Sequence, residues 1–271
     1  MSTFTKAASN QICNICRQQG KLSKDHVPPR GTLIFQDVGI NNFENLFKGT
    51  KKKFTKISQN GIKFETICES CNNKLGHDLD AGLKSFTSNI TEELSKPIPI
   101  NKTLLIECFP STVIRSILGH ILAAKTETDN VTPDRKIRSF LFDYSKPIHK
   151  DIHVFYWFYP FANIRITRDF VMPISQDEQG NIKMGFCNII KFFPIAFLVT
   201  DVVSYAQLPN LNQYRNFSVR IKVKIPLSIG NIHEEGWPEI PSNSGNPFVA
   251  GGKSFFQDSI TASPRNRLSS F

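Results

Sequence analysis

Four of the six cysteines in the sequence stand in two Cys-x-x-Cys pairs. Cys13 and Cys16 form the first pair, and Cys68 and Cys71 form the second. Each pair can present two thiolates on one side of a tight turn, and two such turns provide the ligands of a tetrahedral zinc site. Four thiolates leave no open coordination position, so we expect the zinc to be structural. Its binding would stabilise a segment with little core of its own.

A second group of reactive side chains lies between the two cysteine pairs, in the stretch KDHVPPRG. Asp25 and His26 are adjacent there, and Val27-Pro28-Pro29 follows. The prolines have a fixed φ angle and force extended backbone on the residue before them. A histidine with its usual pKa of about 6.5 is largely neutral at cellular pH, as a general base must be. We therefore expect the segment between the pairs to carry the chemistry.

Taken together, these motifs resemble the zinc-stapled HNH endonucleases. The resemblance consists of the first Cys-x-x-Cys, then Asp-His-Val-Pro-Pro, then Glu-Asn-Leu with Asn45, and finally Cys-x-x-Cys-Asn with Asn72. It covers about residues 12–85. The fold that it implies is the ββα-metal (His-Me finger) fold, a β-hairpin packed on a helix with one divalent cation between them.

The resemblance implies a role for four residues. His26 would be the general base that activates water for attack on phosphorus. Asp25 and Asn72 would ligate the catalytic Mg²⁺ or Mn²⁺ ion, and Asn45 would brace the hairpin. Carboxylate and amide oxygens are hard ligands that suit such a cation. Because neighbouring residues of a strand point to opposite faces, Asp25 and His26 can serve one site only if the strand is twisted or bulged.

Other side chains could take the places of the two asparagines. The third family position is often histidine, and the helix start after the second cysteine pair offers several candidates. Not all of them can face one metal ion. The alternatives to Asn72 are Asn73, His77 and Asp78, and the alternatives to Asn45 are Asn41 and Asn42.

Short elements surround the expected zinc site. Asn60-Gly61 is typical of a hairpin turn, here between two polar strands. Beyond the second cysteine pair, Leu75, Leu79 and Leu83 are spaced four apart, which predicts an amphipathic helix that starts near Asn72.

The sequence beyond about residue 100 predicts a few helices and several strands. Residues 110–125 have the apolar stripe of a core helix, in which we expect His120 to be a packed core residue. The stretch DRKIRSFLFDY predicts a second helix. Strands are predicted in DIHVFYWFY, ANIRITRDFVM, MGFCNIIKFFPIAFLVTDVV and FSVRIKVKI.

We therefore expect an α+β protein with two domains and a tail. Residues 1–95 would form the zinc-stapled HNH domain, and residues 100–235 an α+β domain of unknown role. Residues 236–271 are rich in Pro, Gly, Ser and Asn without periodicity, which predicts an irregular tail. A chain of 271 residues is long enough for two domains of ordinary size.

Charge and composition indicate the partners and the compartment. The 33 Lys and Arg residues outnumber the 23 Asp and Glu residues, and the formal net charge of +10 favours a polyanion, DNA or alternatively RNA. We find no stretch of about 18 uncharged apolar residues and no apolar signal-peptide core. We therefore expect a cytoplasmic protein with no membrane partner, in which the paired cysteines bind metal rather than form disulfides.

These features predict a metal-dependent HNH endonuclease that cleaves DNA phosphodiester bonds and leaves 5′ phosphate. By family analogy its setting would be bacterial anti-phage defence or mobile elements. One alternative is a non-catalytic zinc module that binds nucleic acid, with Asp25 and His26 only bracing the turn. Another is an assembly adaptor, in which the C-terminal domain binds a second copy of the chain or a partner protein.

Overall fold

A computed structural model of the chain describes residues 5–7, 11–33, 37–42, 54–97, 102–128, 131–176, 179–239, 250–251 and 259–265. These residues form a mixed α+β protein with one large antiparallel sheet and four helices. The α+β class predicted from the sequence is therefore confirmed. Asn45 lies outside the described residues.

Short strands and helices alternate in the first part of the chain, and longer strands dominate the second. The strands are β1 (Leu22–His26), β2 (Val38–Asn42), β3 (Lys56–Ser58), β4 (Lys63–Cys68), β5 (Thr103–Cys108), β6 (His153–Phe158), β7 (Ile164–Gln176), β8 (Ile182–Phe192), β9 (Ile195–Thr200), β10 (Val223–Ser228), β11 (Ala250–Gly251) and β12 (Ile260–Pro264). The helices are α1 (Glu69–Asp78), α2 (Asp80–Leu94), α3 (Pro110–Ala123) and α4 (Thr132–Arg138), with a 3₁₀ turn at Leu211–Tyr214.

The strands form three sheets. β1 pairs antiparallel with β4, and α1 follows β4 without a linker. β5 pairs antiparallel with β10. The large sheet has the order β3-β2-β12-β7-β8-β9-β6, and β11 adds to β7. The candidate site lies on the first of these sheets and on the helix after it.

The Asn60-Gly61 turn forms, but its two flanking strands belong to different sheets. The φ angles are 57° at Asn60 and 82° at Gly61, in the left-handed region that both residue types tolerate. β3, before the turn, pairs with β2, whereas β4, after it, pairs with β1. The predicted hairpin is therefore wrong as a strand pair, because a turn sets the local chain direction and more distant strands decide the pairing.

The leucine stripe is buried as predicted, but on two helices rather than one. Leu75, Leu79 and Leu83 are all fully buried. The first helix begins at Glu69 rather than Asn72, and it ends where Leu79 leaves helical geometry, with φ at −121°. The change of direction at this junction lets both helices contact α3.

Helix α3 lies inside the core, and every residue from Pro110 to Ala123 is buried. Glycines allow its neighbours to come close. A Cβ atom at Gly119 would lie 2.3 Å from Cδ2 of Leu75, and one at Gly82 would lie 2.5 Å from Cγ2 of Thr112. Polar side chains on α3 must therefore find their partners inside the protein.

The main hydrophobic core of the described residues extends from Cys13 to Ala262, and a second, smaller cluster lies around Trp157. β12 lies between β2 and β7 in the large sheet, although the sequence predicts irregular structure in this segment. Ile260 and Ala262 face the core at 1% and 0% exposure. Strands from the first 95 residues and from the last part of the chain thus share one sheet.

Candidate metal centre and active site

The four cysteines of the two pairs come together. The Sγ atoms of Cys13, Cys16, Cys68 and Cys71 all lie within 4.8 Å of one another, and those of Cys16 and Cys68 are 3.7 Å apart. Four sulfurs bound at about 2.3 Å to a tetrahedral zinc ion would be separated by about 3.8 Å. The donor set and its spacing therefore fit zinc.

Local hydrogen bonds shape this cluster. The backbone N–H groups of Ile15 and Cys68 donate to Sγ of Cys13 at 3.4 and 3.3 Å. A hydrogen bond from the Cys71 thiol lowers the pKa of Cys13 to about 4, and the same contact raises the pKa of Cys71. The Cys71 thiol is therefore held protonated, first by this hydrogen bond, then by burial, and then by repulsion from the negative charge on Cys13. A divalent cation would remove this repulsion.

His26 lies at the end of β1, opposite Lys63, and its side chain is half-buried. Burial lowers the pKa of His26, and the positive charges of Arg30 and Lys63 lower it further. The charge of Asp25 and a hydrogen bond with the Asn60 backbone act in the opposite direction but do not outweigh them. The imidazole is therefore mainly neutral at pH 7 and can accept a proton.

Asp25 faces the interior, where it meets a histidine from a distant part of the chain. Its Oδ2 atom lies 3.0 Å from Nδ1 of His120, whose Nε2 lies 2.8 Å from Oδ1 of Asp80. Asp25 is only 4% exposed and His120 is fully buried. Although burial disfavours its charged form, the carboxylates of Asp80 and Asp25 raise the pKa of His120 to about 10. The Asp25 oxygen Oδ1 is not used in this ion pair.

Sequence reasoning places His120 in the core, which is confirmed, but misses its contact with Asp25. The two residues are 95 positions apart, and nothing near either one indicates the other. The signal that could have been used is a histidine in a stripe of apolar residues, since a buried imidazole requires a polar partner.

Asn72 reaches from α1 back to β1. Its Nδ2 atom donates to Oγ of Ser23 at 3.0 Å and to the carbonyl oxygen of Lys24 at 3.1 Å. These bonds use the NH₂ group of the amide and not its oxygen. One helical turn later, the space beside Gly76 is open, since a Cβ atom there would meet no described heavy atom within 4 Å. Oδ1 of Asp25 and the amide oxygen of Asn72 are not used in these hydrogen bonds, and both are hard donors of the kind that suits Mg²⁺ or Mn²⁺.

Three of the rival side chains, His77, Asp78 and Asn41, have other partners. Nδ1 of His77 lies 2.8 Å from Oδ1 of Asp78, and the Tyr144 hydroxyl donates to Oδ2 of Asp78, also at 2.8 Å. The His77 side chain is 90% exposed. On β2, Oδ1 of Asn41 accepts a hydrogen bond from the backbone N–H of Thr55 at 3.0 Å. Asn41 therefore braces the chain beside the large sheet.

Basic side chains surround the end of β1. Lys24 and Arg30 are exposed, and Lys56 and Lys63 are partly exposed. Burial, followed by the positive charges of Lys6 and Lys24, lowers the pKa of Lys56. Such a concentration of positive charge attracts phosphate groups.

No protein-family model, curated protein or solved structure matches the chain. Across the described residues, none of the helices combines the length and the apolar character that crossing a membrane requires. An activity has to be inferred from the side chains of the chain itself.

Proposed function

We propose that the chain is a metal-dependent endonuclease of the HNH type, which hydrolyses phosphodiester bonds in DNA. The observation that carries this proposal is the junction of β1 and α1 beside the four-cysteine cluster. There a half-buried histidine with a lowered pKa, His26, stands among basic side chains. Asp25 precedes it, and Asn72 is hydrogen-bonded to the same strand.

Each side chain has a task in such a reaction. His26 accepts a proton from the water that attacks phosphorus, because burial and nearby cations keep its imidazole neutral. Arg30 and Lys63 attract the phosphate and balance the charge that builds up on it. Asp25 and Asn72 would hold Mg²⁺ or Mn²⁺, and the bound cation would stabilise the leaving 3′ oxygen. The cysteine cluster would hold zinc and so fasten the Cys13–Cys16 turn to the junction of β4 and α1.

A cleavage assay with defined ends tests this function. Zinc-loaded protein is incubated with supercoiled plasmid, single-stranded DNA and RNA, each with Mg²⁺, Mn²⁺ or EDTA. We expect nicking and linearisation of DNA only with a divalent cation, and ends with a 5′ phosphate that DNA ligase can rejoin. Absence of cleavage of every DNA substrate with either cation, in protein that contains one zinc per chain, contradicts the proposal.

A non-catalytic zinc module that binds nucleic acid is the second candidate, and the ion pair between Asp25 and His120 favours it. A buried carboxylate bonded to a buried histidine can serve as a brace for the strand. The basic side chains around β1 would then bind phosphate without hydrolysis. Such a module binds DNA with an affinity that falls steeply with salt and shows no turnover with either cation.

The cellular setting stays a prediction. The proposal includes a cytoplasmic location, a part in anti-phage defence, and self-association or a protein partner through the later strands.

A further inference from the structure

His120 joins α3 to the candidate site. Its Nδ1 lies 3.0 Å from Oδ2 of Asp25, and its Nε2 lies 2.8 Å from Oδ1 of Asp80. Carboxylate oxygens accept hydrogen bonds, so the ring donates in both directions. Since the side chain is fully buried behind Asp25, it does not itself reach a substrate.

The surroundings of His120 hold its ring in one place. Ser116, one turn earlier on α3, donates to the same Asp80 oxygen at 2.8 Å. Next to His120, Gly119 allows Leu75 of α1 to pack directly against the α3 backbone. The ring could move only by breaking two charge-assisted hydrogen bonds.

We propose that His120 is a positioning residue for Asp25, which holds Oδ2 of the carboxylate from inside the protein and so presents Oδ1 to the divalent cation. The inference rests on the proposed nuclease function, because it requires Asp25 to be a ligand. A carboxylate already fixed through one oxygen loses less rotational freedom when the other oxygen binds a cation. Partners that orient metal ligands typically change metal affinity by about 10- to 100-fold when they are removed.

Two substitutions separate the two hydrogen bonds of the ring. In His120→Asn the side-chain amide lies near the position of Nδ1 and can still donate to Asp25. In His120→Gln it lies near the position of Nε2 and can still donate to Asp80. Each variant loses one buried hydrogen bond, so the two should lose similar stability. Only His120→Gln loses the bond to Asp25, so a difference in metal affinity between the variants indicates a role at Asp25 rather than a purely structural one.

The readouts are Mn²⁺ affinity, from the electron paramagnetic resonance signal of the free ion, and the thermal midpoint, both on zinc-loaded full-length protein. We expect the Kd for Mn²⁺ to rise about 10-fold or more in His120→Gln but less than about threefold in His120→Asn. The thermal midpoints of the two variants should fall by similar amounts. Equal Mn²⁺ affinities in the two variants would overturn the inference. So would Mn²⁺ affinities that decrease in proportion to the thermal midpoints.

The wild-type protein separates the two possible failures. If it binds no Mn²⁺, the proposed metal site is wrong and the inference is wrong with it. If it binds Mn²⁺ and cleaves DNA while both variants behave like it, only the inference is wrong. Should both variants unfold, a wild-type crystal soaked in Mn²⁺ decides: we expect manganese on Oδ1 of Asp25 with the His120 contact intact. Manganese on Oδ2, or a broken contact, overturns the inference.

Discussion

Asn14, inside the first Cys-x-x-Cys turn, donates a hydrogen bond from Nδ2 to the carbonyl oxygen of Lys125. Two further bonds fasten the same region: Nη2 of Arg17 donates to the carbonyl oxygen of Thr128 at 2.6 Å, and Nε of Arg138 donates to that of Asn14, also at 2.6 Å. The first Cys-x-x-Cys turn is thus docked on the residues that follow the core helix α3. Changes at the metal should therefore affect the fold well beyond the cysteines.

Loss of zinc should destabilise the whole chain. We expect chelation, or the substitution Cys68→Ser, to lower the thermal midpoint by about 10 °C or more, because the turn loses both its metal and its docked position. Calorimetry and zinc analysis measure this. Cys108→Ala, which alters a buried thiol outside the cluster, is the control and should keep its zinc. An unchanged midpoint after complete loss of zinc would contradict the expectation.

Asp169 should make stability depend on pH in the acid range. Its Oδ2 lies 2.7 Å from Nζ of Lys125 and its Oδ1 lies 3.3 Å from Nη2 of Arg168. Burial acts to raise its pKa, but the charges of Arg168 and Lys125 outweigh burial and lower the pKa below its usual value of 3.8. A lowered pKa stabilises the fold above the unfolded value, and this contribution is lost as the pH falls through the folded value.

The substitution Asp169→Asn isolates this contribution in urea unfolding. It should cost about 3 kcal/mol near neutral pH, because two buried cations lose a carboxylate, and the difference from wild type should shrink below about pH 4. Asp143→Asn, at an exposed carboxylate, is the control and should change stability little. If the difference stays constant across the acid range, Asp169 does not titrate as expected.

The buried pair of Lys191 and Glu239 should be costly to break. Nζ of Lys191 lies 2.5 Å from Oε2 of Glu239, and both side chains are fully buried. Lys191→Met leaves the carboxylate without its cation and should reduce the free energy of unfolding by about 3–5 kcal/mol. The double variant with Glu239→Gln should recover part of this loss.

An exposed pair provides the control for Lys191. Lys222 and Glu107 are 2.6 Å apart but nearly half exposed. Lys222→Met should therefore cost less than about 1 kcal/mol in the same urea titration. Equal costs for Lys191→Met and Lys222→Met would mean that burial does not set the strength of these pairs.

The open space beside Gly76 should matter for access to the site. Gly76→Ala should stabilise α1 by up to about 1 kcal/mol, because alanine favours helix more than glycine. Gly76→Trp should fill the space next to Asn72 and reduce DNA cleavage while zinc content stays unchanged. Ala81→Trp, on the exposed face of α2, is the control. Full cleavage by Gly76→Trp would show that substrate does not use this space.

Local patterns could be predicted from the sequence, whereas distant partners could not. The first Cys-x-x-Cys pair lies in one tight turn and the second at the start of α1, and the leucine stripe follows from the helical period. These patterns span only a few residues each and can be recognised in the sequence. The contact of Asp25 with His120 depends on how α3 packs against the sheet of β1 and β4, which no local pattern specifies. β12 is similar, since five residues in a Pro- and Ser-rich stretch become a strand only between β2 and β7.

Single-turnover cleavage of DNA by the His26→Ala variant tests the nuclease function most directly. We expect the rate with Mg²⁺ to fall about 10²- to 10⁴-fold, because the general base is lost, while zinc content, Mn²⁺ affinity and thermal midpoint stay close to those of the wild type. His149→Ala, at a partly exposed histidine, is the control and should cleave at the wild-type rate. If His26→Ala cleaves as fast as the wild type, His26 is not the general base and the proposed mechanism is contradicted.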